Sequence, residues 1–147
     1  MASEDTIRLE IVTPYDLIYD GHADMVVVTA ADGEIGILPG HTAMFAALKD
    51  GEIRFRMGEE WQILSASIGY AEISPDLTIV VVNSAEWLDK IDVARAQRSL
   101  ERAQKRLADP QTSILERRRS YNSVARATNR IKVAGRYDKS RKHLGES

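Results

Sequence analysis

Three histidines, His22, His41 and His143, and no cysteine are available for metal binding or nucleophilic chemistry in this chain of 147 residues. No two of the histidines have the spacing that would place paired imidazoles on one helix face, and no thiolate can supplement them. His22 and His41 each sit beside a glycine turn, so both read as surface-loop histidines. Ser67 and Ser84 lack the tight elbow that exposes a nucleophilic hydroxyl, and the sequence has no G-x-x-x-x-G-K-[ST] phosphate loop. Gly33-Glu34-Ile35-Gly36 begins like a glycine-rich nucleotide loop, but no third glycine and no helical pattern follow it. These residues predict a chain with no catalytic centre, no metal site and no required cofactor.

Arginine is the better candidate for binding. At about 100° per residue, Arg95, Ser99, Arg102 and Arg106 fall on one flank of a helix, next to a stripe of Ala96, Leu100, Ala103 and Leu107. Farther along, Arg119, Arg126 and Arg130 lie within about 40° of one another, again beside an apolar stripe. Folding the two stripes together brings two arginine rows to one edge. Guanidinium groups suit a triphosphate because they donate planar, paired, charge-assisted hydrogen bonds. The same rows could instead meet an acidic protein surface. Asp92 and Arg95 also admit a purely local role, as a helix cap with an i,i+3 ion pair worth about 0.2–0.5 kcal/mol. Arg117 faces away from both rows and is expected to contribute little.

Charge divides the chain in the same place. Residues 1–85 hold 4 Lys and Arg against 14 Asp and Glu, whereas residues 86–147 hold 16 against 8. Such asymmetry suggests separate modules, the basic one facing an anionic partner. A nucleic-acid-binding hairpin is the alternative reading. It is weakened because Tyr121 is the only aromatic residue on the helices available to stack on a base, and because the other half is acidic.

The elements that position these residues follow from periodicity. Ile7, Leu9 and Ile11 alternate with Arg8 and Glu10, and Ile53 and Phe55 alternate with Arg54 and Arg56, as in half-buried strands. Val26-Val27-Val28 and Ile79-Val80-Val81-Val82 are β-branched runs of buried strands. Turn pairs recur at Asp20-Gly21, Asp32-Gly33, Pro39-Gly40, Asp50-Gly51, Met57-Gly58 and Pro75-Asp76. From Ile91 the period becomes helical. Asp109-Pro110 ends the first helix, Thr112 or Ser113 can cap the second, and Gly135 can end it. Val124, Ala127, Ile131 and Ala134 supply its stripe. The fold class is therefore α+β: an N-terminal antiparallel β-sandwich over residues 1–85, then a two-helix antiparallel hairpin over 86–135. The tail, 136–147, is expected to be disordered. The stripes are narrow and Ala-rich, so the hairpin should be loosely held, docked elsewhere or able to extend. No apolar run approaches the roughly 20 residues of a membrane span, and the acidic N-terminus is unlike a secretory signal.

Several ordered motifs carry a family resemblance. Gly33-Glu34-Ile35-Gly36-Ile37-Leu38-Pro39-Gly40-His41-Thr42 resembles the G-E-[LI]-G-x-[LY]-P-G-H segment of the epsilon subunits of F-type ATP synthases. Leu9-Glu10-Ile11-Val12-Thr13-Pro14, Asp50-Gly51-Glu52-Ile53-Arg54, Ile91-Asp92-Val93-Ala94-Arg95-Ala96 and Arg126-Ala127-Thr128-Asn129-Arg130-Ile131 follow in the family order, so the likeness covers about residues 6–134. The sequence departs at Ile68-Gly69, where the family usually has Gly-Gly. The resemblance implies a non-catalytic rotor part at the foot of the central stalk that couples proton translocation to ATP synthesis. Its implied partners are the gamma subunit, the polar loops of the c-ring through Glu34 and His41, and the catalytic alpha and beta subunits when the helices extend and restrain ATP hydrolysis. Through its I-D-x-x-R-A motif it also implies regulatory ATP bound by Glu86, Asp92, Arg95, Arg102, Arg126 and Arg130. The implied location is peripheral, at the cytoplasmic face of a bacterial plasma membrane.

Overall fold

A computed structural model of the chain describes residues 5–137. The expectation of a disordered tail falls mostly on 138–147, and His143 with it, outside the described residues. Ten strands come first: β1 (Ile7–Val12), β2 (Leu17–Ala23), β3 (Met25–Ala30), β4 (Gly33–Ile37), β5 (Met44–Leu48), β6 (Gly51–Met57), β7 (Glu60–Ala66), β8 (Gly69–Ile73), β9 (Leu77–Val82) and β10 (Ala85–Trp87). A 3-10 turn at Leu88–Lys90 leads to the helices α1 (Val93–Ala108) and α2 (Ile114–Arg136).

The strands run in the order β10-β7-β6-β3-β5-β8-β9-β1-β2, with β4 on the free side of β3. β3 and β5 share only the Ala30–Leu48 pair, and the sheet folds over at this corner into two layers. Alternating residues of both layers meet inside: Val26, Val28, Phe55 and Leu64 from one, Ile7, Leu9, Ile73 and Val80 from the other. Each large side chain buried there stabilises the sandwich by roughly 1.5–3 kcal/mol. Phe55 lies between Tyr19, at 4.4 Å between ring centroids, and Trp87, at 6.2 Å, so one ring ties β2, β6 and β10 together.

The expected architecture is present, with local differences. β1 and β9 pair in parallel, whereas the other pairs of the sheet are antiparallel. β10 pairs with β7, so the sheet extends to Trp87 and passes the expected division at residue 85. Asp20-Gly21 is not a turn but the middle of β2, paired with Glu10 and Leu9. A Cβ at Gly21 would stand 2.6 Å from the Tyr19 hydroxyl oxygen, so the Tyr19 ring, which donates to the His22 carbonyl at 2.9 Å, would have to shift. His22 consequently lies half-buried in a strand rather than in a loop.

Each helix begins at a side-chain cap. Asp92 accepts the Arg95 N–H at 3.0 Å, and Ser113 accepts the Glu116 N–H at 3.2 Å. These bonds satisfy amides that the first helical turn leaves without partners. The hairpin closes on small residues: Ala96, Ala103, Ser120 and Ala127 are all buried. Arg117 is not a bystander in this arrangement. It donates to the Leu107 carbonyl at 2.9 Å and to the Asp109 carbonyl at 2.8 Å, filling the negative end of α1 from the start of α2. Thr112 adds a hydroxyl bond of 2.6 Å to the Arg106 carbonyl. Gly135 does not end α2, which runs on to Arg136, and Tyr137 packs beside Val133 and Ala134.

Gly69, the retained half of the departed Gly-Gly pair, is a point of close approach. A Cβ there would lie 1.9 Å from the Val81 carbonyl oxygen, so β8 and β9 could not keep their spacing. Gly69→Ala should lower unfolding stability by about 1–3 kcal/mol, as overpacking of a tight interior does, measured by urea denaturation. Undiminished stability would mean that the two strands part without cost.

Candidate functional site

The hairpin lies on the sandwich through the second half of α2, and the contact is built around one carboxylate. Glu52 lies on β6 with Arg54 and Arg56 on the outer side, while Ile53 and Phe55 turn into the core. It is nevertheless only 4% exposed, because the end of α2 covers it. Arg136 reaches it from the helix at 2.6 Å and Arg54 from the strand at 3.1 Å. Thr29 holds its backbone, donating to the Glu52 carbonyl at 3.1 Å and accepting the Glu52 N–H at 3.2 Å. Burial raises the pKa of the adjoining Tyr137 phenol, and hydrogen bonding to Glu52 raises it further.

Asn129 supplies the second attachment. Its amide donates to the carbonyls of Gly51, at 2.9 Å, and Ala66, at 3.2 Å, and to the Ser65 hydroxyl at 3.2 Å. These acceptors belong to β6 and β7, so one side chain ties α2 to both strands. An apolar cluster of Leu88, Ile91, Val133 and Ala134 fills the remaining space. The loosely held hairpin expected from its stripes is thus docked mainly by α2, with Val93 at the start of α1 packed against the same cluster.

Between this docked helix and the strand ends runs a cavity of about 240 Å³, lined by Asp50, Ser67, Glu86, Arg126, Asn129 and Arg130 among others. A smaller space of about 90 Å³ adjoins it and shares Asp50, Ser67 and Arg126. Arg130 grips Glu86 with two hydrogen bonds, at 2.8 and 3.2 Å. Arg126 bonds Ser123 within its own helix at 3.3 Å and faces Asp50 across the groove. Burial raises the Asp50 pKa above the ordinary carboxylate value, and the Arg126 charge and the Ile68 N–H oppose that rise.

Of the six residues expected at a nucleotide site, three come together here: Glu86, Arg126 and Arg130. Asp92, Arg95 and Arg102 stay exposed on α1, with Asp92 capping the helix and Arg102 bonded to Ser99 at 3.2 Å. The other expected pair, Glu34 and His41, is spread over the two ends of β4. Glu34 is in the strand rather than a turn and bonds Arg54 at 2.9 and 3.3 Å, which lowers its pKa. His41 lies beyond the strand in the Pro39-Gly40 turn, where Gly40 donates to the Pro75 carbonyl at 2.7 Å. No group of three His, Cys, Asp or Glu among the described residues could hold a metal.

Sequence reasoning missed Glu52, Asn129, Arg136 and Asp50. A carboxylate on the outer side of a strand reads as solvated, and only the helix above it reveals otherwise. Asn129 lies within the Arg126–Ile131 motif, yet amide donors have no spacing signature.

Comparison with known proteins bears on the whole chain. Residues 6–88 match the family model described as ATP synthase, Delta/Epsilon chain, beta-sandwich domain, and residues 89–135 the one described as its long alpha-helix domain. The ATP synthase epsilon chain of Halalkalibacterium halodurans is 39% identical over 131 residues, spanning 89% of this chain and 98% of that protein. The epsilon chain of Bacillus pumilus is 37% identical over 131 residues, with the same two shares. A chain in the cryo-EM structure of Euglena gracilis mitochondrial ATP synthase, OSCP/F1/c-ring in rotational state 1, superposes with a TM-score of 0.76 at 18% identity. That likeness, of fold alone, covers 90% of this chain and 82% of the other.

The attachment by Asn129 makes a prediction. Asn129→Ala removes the amide by which α2 bonds β6 and β7, at a cost of about 0.5–1.5 kcal/mol. Native-state hydrogen exchange should show opening of the α2 end made easier by that amount while the sandwich amides stay protected. Unchanged protection of α2 would show that the helix is held without this side chain.

Proposed function

The chain belongs to the ATP synthase Delta/Epsilon chain family, a non-catalytic subunit of that complex, and from that premise we propose that it is a central-stalk rotor component linking the gamma subunit to the c-ring. The observation that carries this reading is an apolar outer sheet face. On β5, β8 and β9 the residues turned from the core are Phe45, Ala47, Tyr70, Glu72, Ile79 and Val81. Phe45 is 67% exposed and stacks on Tyr70 at 5.0 Å between centroids. A contiguous exposed patch with aromatic residues at its centre suits burial against a protein partner. Gamma is the proposed occupant, with the turn at His41 turned to the polar loops of the c-ring. Glu34, already bonded to Arg54, is the weaker candidate for that contact. Through these contacts the chain couples proton translocation to ATP synthesis.

No helix among the described residues is long and apolar enough to cross a membrane. The proposed location is peripheral, at the cytoplasmic face of a bacterial plasma membrane, which the bacterial relatives support. The hairpin is the proposed regulatory part. Released from the sandwich, its exposed arginines would meet the catalytic alpha and beta subunits and restrain hydrolysis. Docked, its groove would take regulatory ATP, with Glu86, Arg126 and Arg130 at its wall. Asp92, Arg95 and Arg102 would join only if α1 moves or the ligand reaches out to it. The cavity of about 240 Å³ is below the roughly 300–1,000 Å³ of usual ligand sites, so part of the nucleotide would lie outside it. The nucleic-acid alternative is set aside: family membership accounts for the hairpin, and Arg117, Arg130 and Arg136 are turned onto the chain's own acceptors.

Two outcomes test this reading. Replacing Phe45 and Tyr70 together by Ser should abolish co-purification with gamma while changing stability little, since both rings are exposed. Retention of gamma by the double variant would refute the assigned face. By calorimetry on the full chain, ATP should bind, and Arg126→Ala should weaken it by about tenfold, the scale of one charged hydrogen bond. Arg118→Ala is the control, because Arg117 holds the hairpin turn. No heat at millimolar ATP would leave the groove without a nucleotide role.

A further inference from the structure

Three cavities lie along the underside of α2, of about 240, 340 and 90 Å³, and Asp50 lines all of them. The residue stands at the corner between β5 and β6, half-buried, and its carboxylate accepts the Ile68 N–H. It is therefore fixed in place by the sandwich. Across the groove from it is Arg126. That guanidinium donates to Ser123 on its own helix, and Asp50 supplies the opposing charge from the sandwich side. Arg130, one turn along, is matched in the same way by Glu86. Both arginines of the 240 Å³ cavity thus face a carboxylate of the chain itself. The charges of a bound polyphosphate would fall where these carboxylates now act.

We propose that Asp50 is an internal competitor for the anion site, setting how tightly the groove holds the triphosphate of a nucleotide. The proposal rests on the reading of this groove as a nucleotide site. A triphosphate near Arg126 meets a fixed negative charge that cannot withdraw, because Asp50 is anchored to the sheet corner and not carried on the hairpin. Glu86 is equally fixed, on β10, but it is already held by two hydrogen bonds from Arg130. Asp50 thereby weakens the ligand without weakening the fold, which keeps the hairpin responsive to high nucleotide concentration rather than saturated at low.

The test is calorimetric titration of the full chain, natural and as Asp50→Asn and Asp50→Glu, with ATP, inorganic tripolyphosphate and adenosine. Asn retains a side-chain carbonyl for the Ile68 N–H, and thermal melting checks that the fold is kept. Asp50→Asn should tighten ATP and tripolyphosphate by about two- to fivefold, the range that partly exposed charge pairs give. Adenosine should be unaffected, and Asp50→Glu should restore the natural affinity. The gain should shrink as salt is raised. If the natural chain binds ATP and Asp50→Asn binds it no more tightly, the inference on Asp50 falls while the site stands. If none of the three proteins binds either polyphosphate, the site reading falls and the inference with it. Should Asp50→Asn melt early, Asp50→Ser takes its place under the same criteria.

Discussion

Glu52 carries its carboxylate into a place where water scarcely reaches, and a buried charge survives there only with cations held beside it. Much of the molecule can be understood as the means of meeting that requirement. Thr29 pins the Glu52 backbone on one side, and Arg54 is steadied by Glu34 on the other. The remaining cation comes from Arg136, the last residue of α2. A sheet residue near the start of β6 and a helix residue 84 positions later are thereby locked together. The ion pair sets where α2 ends, Asn129 sets its height above the strand ends, and the small apolar cluster at Ile91 and Val133 closes the gap.

The groove is a consequence of that docking. α2 is pinned at its far end and joined to α1 at the other by the Arg117 clasp, so its middle passes over the sheet corner without filling the space below. Arg126 and Arg130 fall in this unfilled stretch. They are countered there by Asp50 and Glu86, which come from the sandwich, so charges of the basic half are neutralised by the acidic half across the seam. The division of charge seen along the chain is in three dimensions an attraction between its two modules. Because the hairpin interior is built of Ala and Ser, little hydrophobic burial opposes separation of the helices, and the polar contacts at the seam decide whether α2 stays down.

Local features were well legible in the sequence. Ile7, Leu9 and Ile11 turn inward as alternation requires, Pro110 ends a helix, and Ser113 caps the next, because each depends on its immediate neighbours. Features that depend on distant residues were not. The parallel pairing of β1 with β9 joins segments about seventy residues apart, and no local pattern specifies it. Asp20-Gly21 looks like a turn, yet both residues lie in mid-strand beside β1. Glu34 and His41 look close in a motif, but a strand advances about 3.3 Å per residue and sends them to opposite ends of β4. Arg126 and Arg130 line one cavity, while Arg95 and Arg102 stay apart from them on α1. Glu86 stood beside these arginines in the family pattern, but Asp50 did not, since it reaches Arg126 only after α2 has docked.

The bond between Glu52 and Arg136 ties the sandwich to the hairpin, and its energy can be isolated by a double-mutant cycle. Glu52→Gln, Arg136→Gln and the double variant would be compared by hydrogen exchange at the amides of α2. A coupling energy of about 0.5–3 kcal/mol is predicted, confined to the helix and absent from the sandwich core. Additive effects of the two substitutions would contradict the account, for the helix would then be held by something other than this pair.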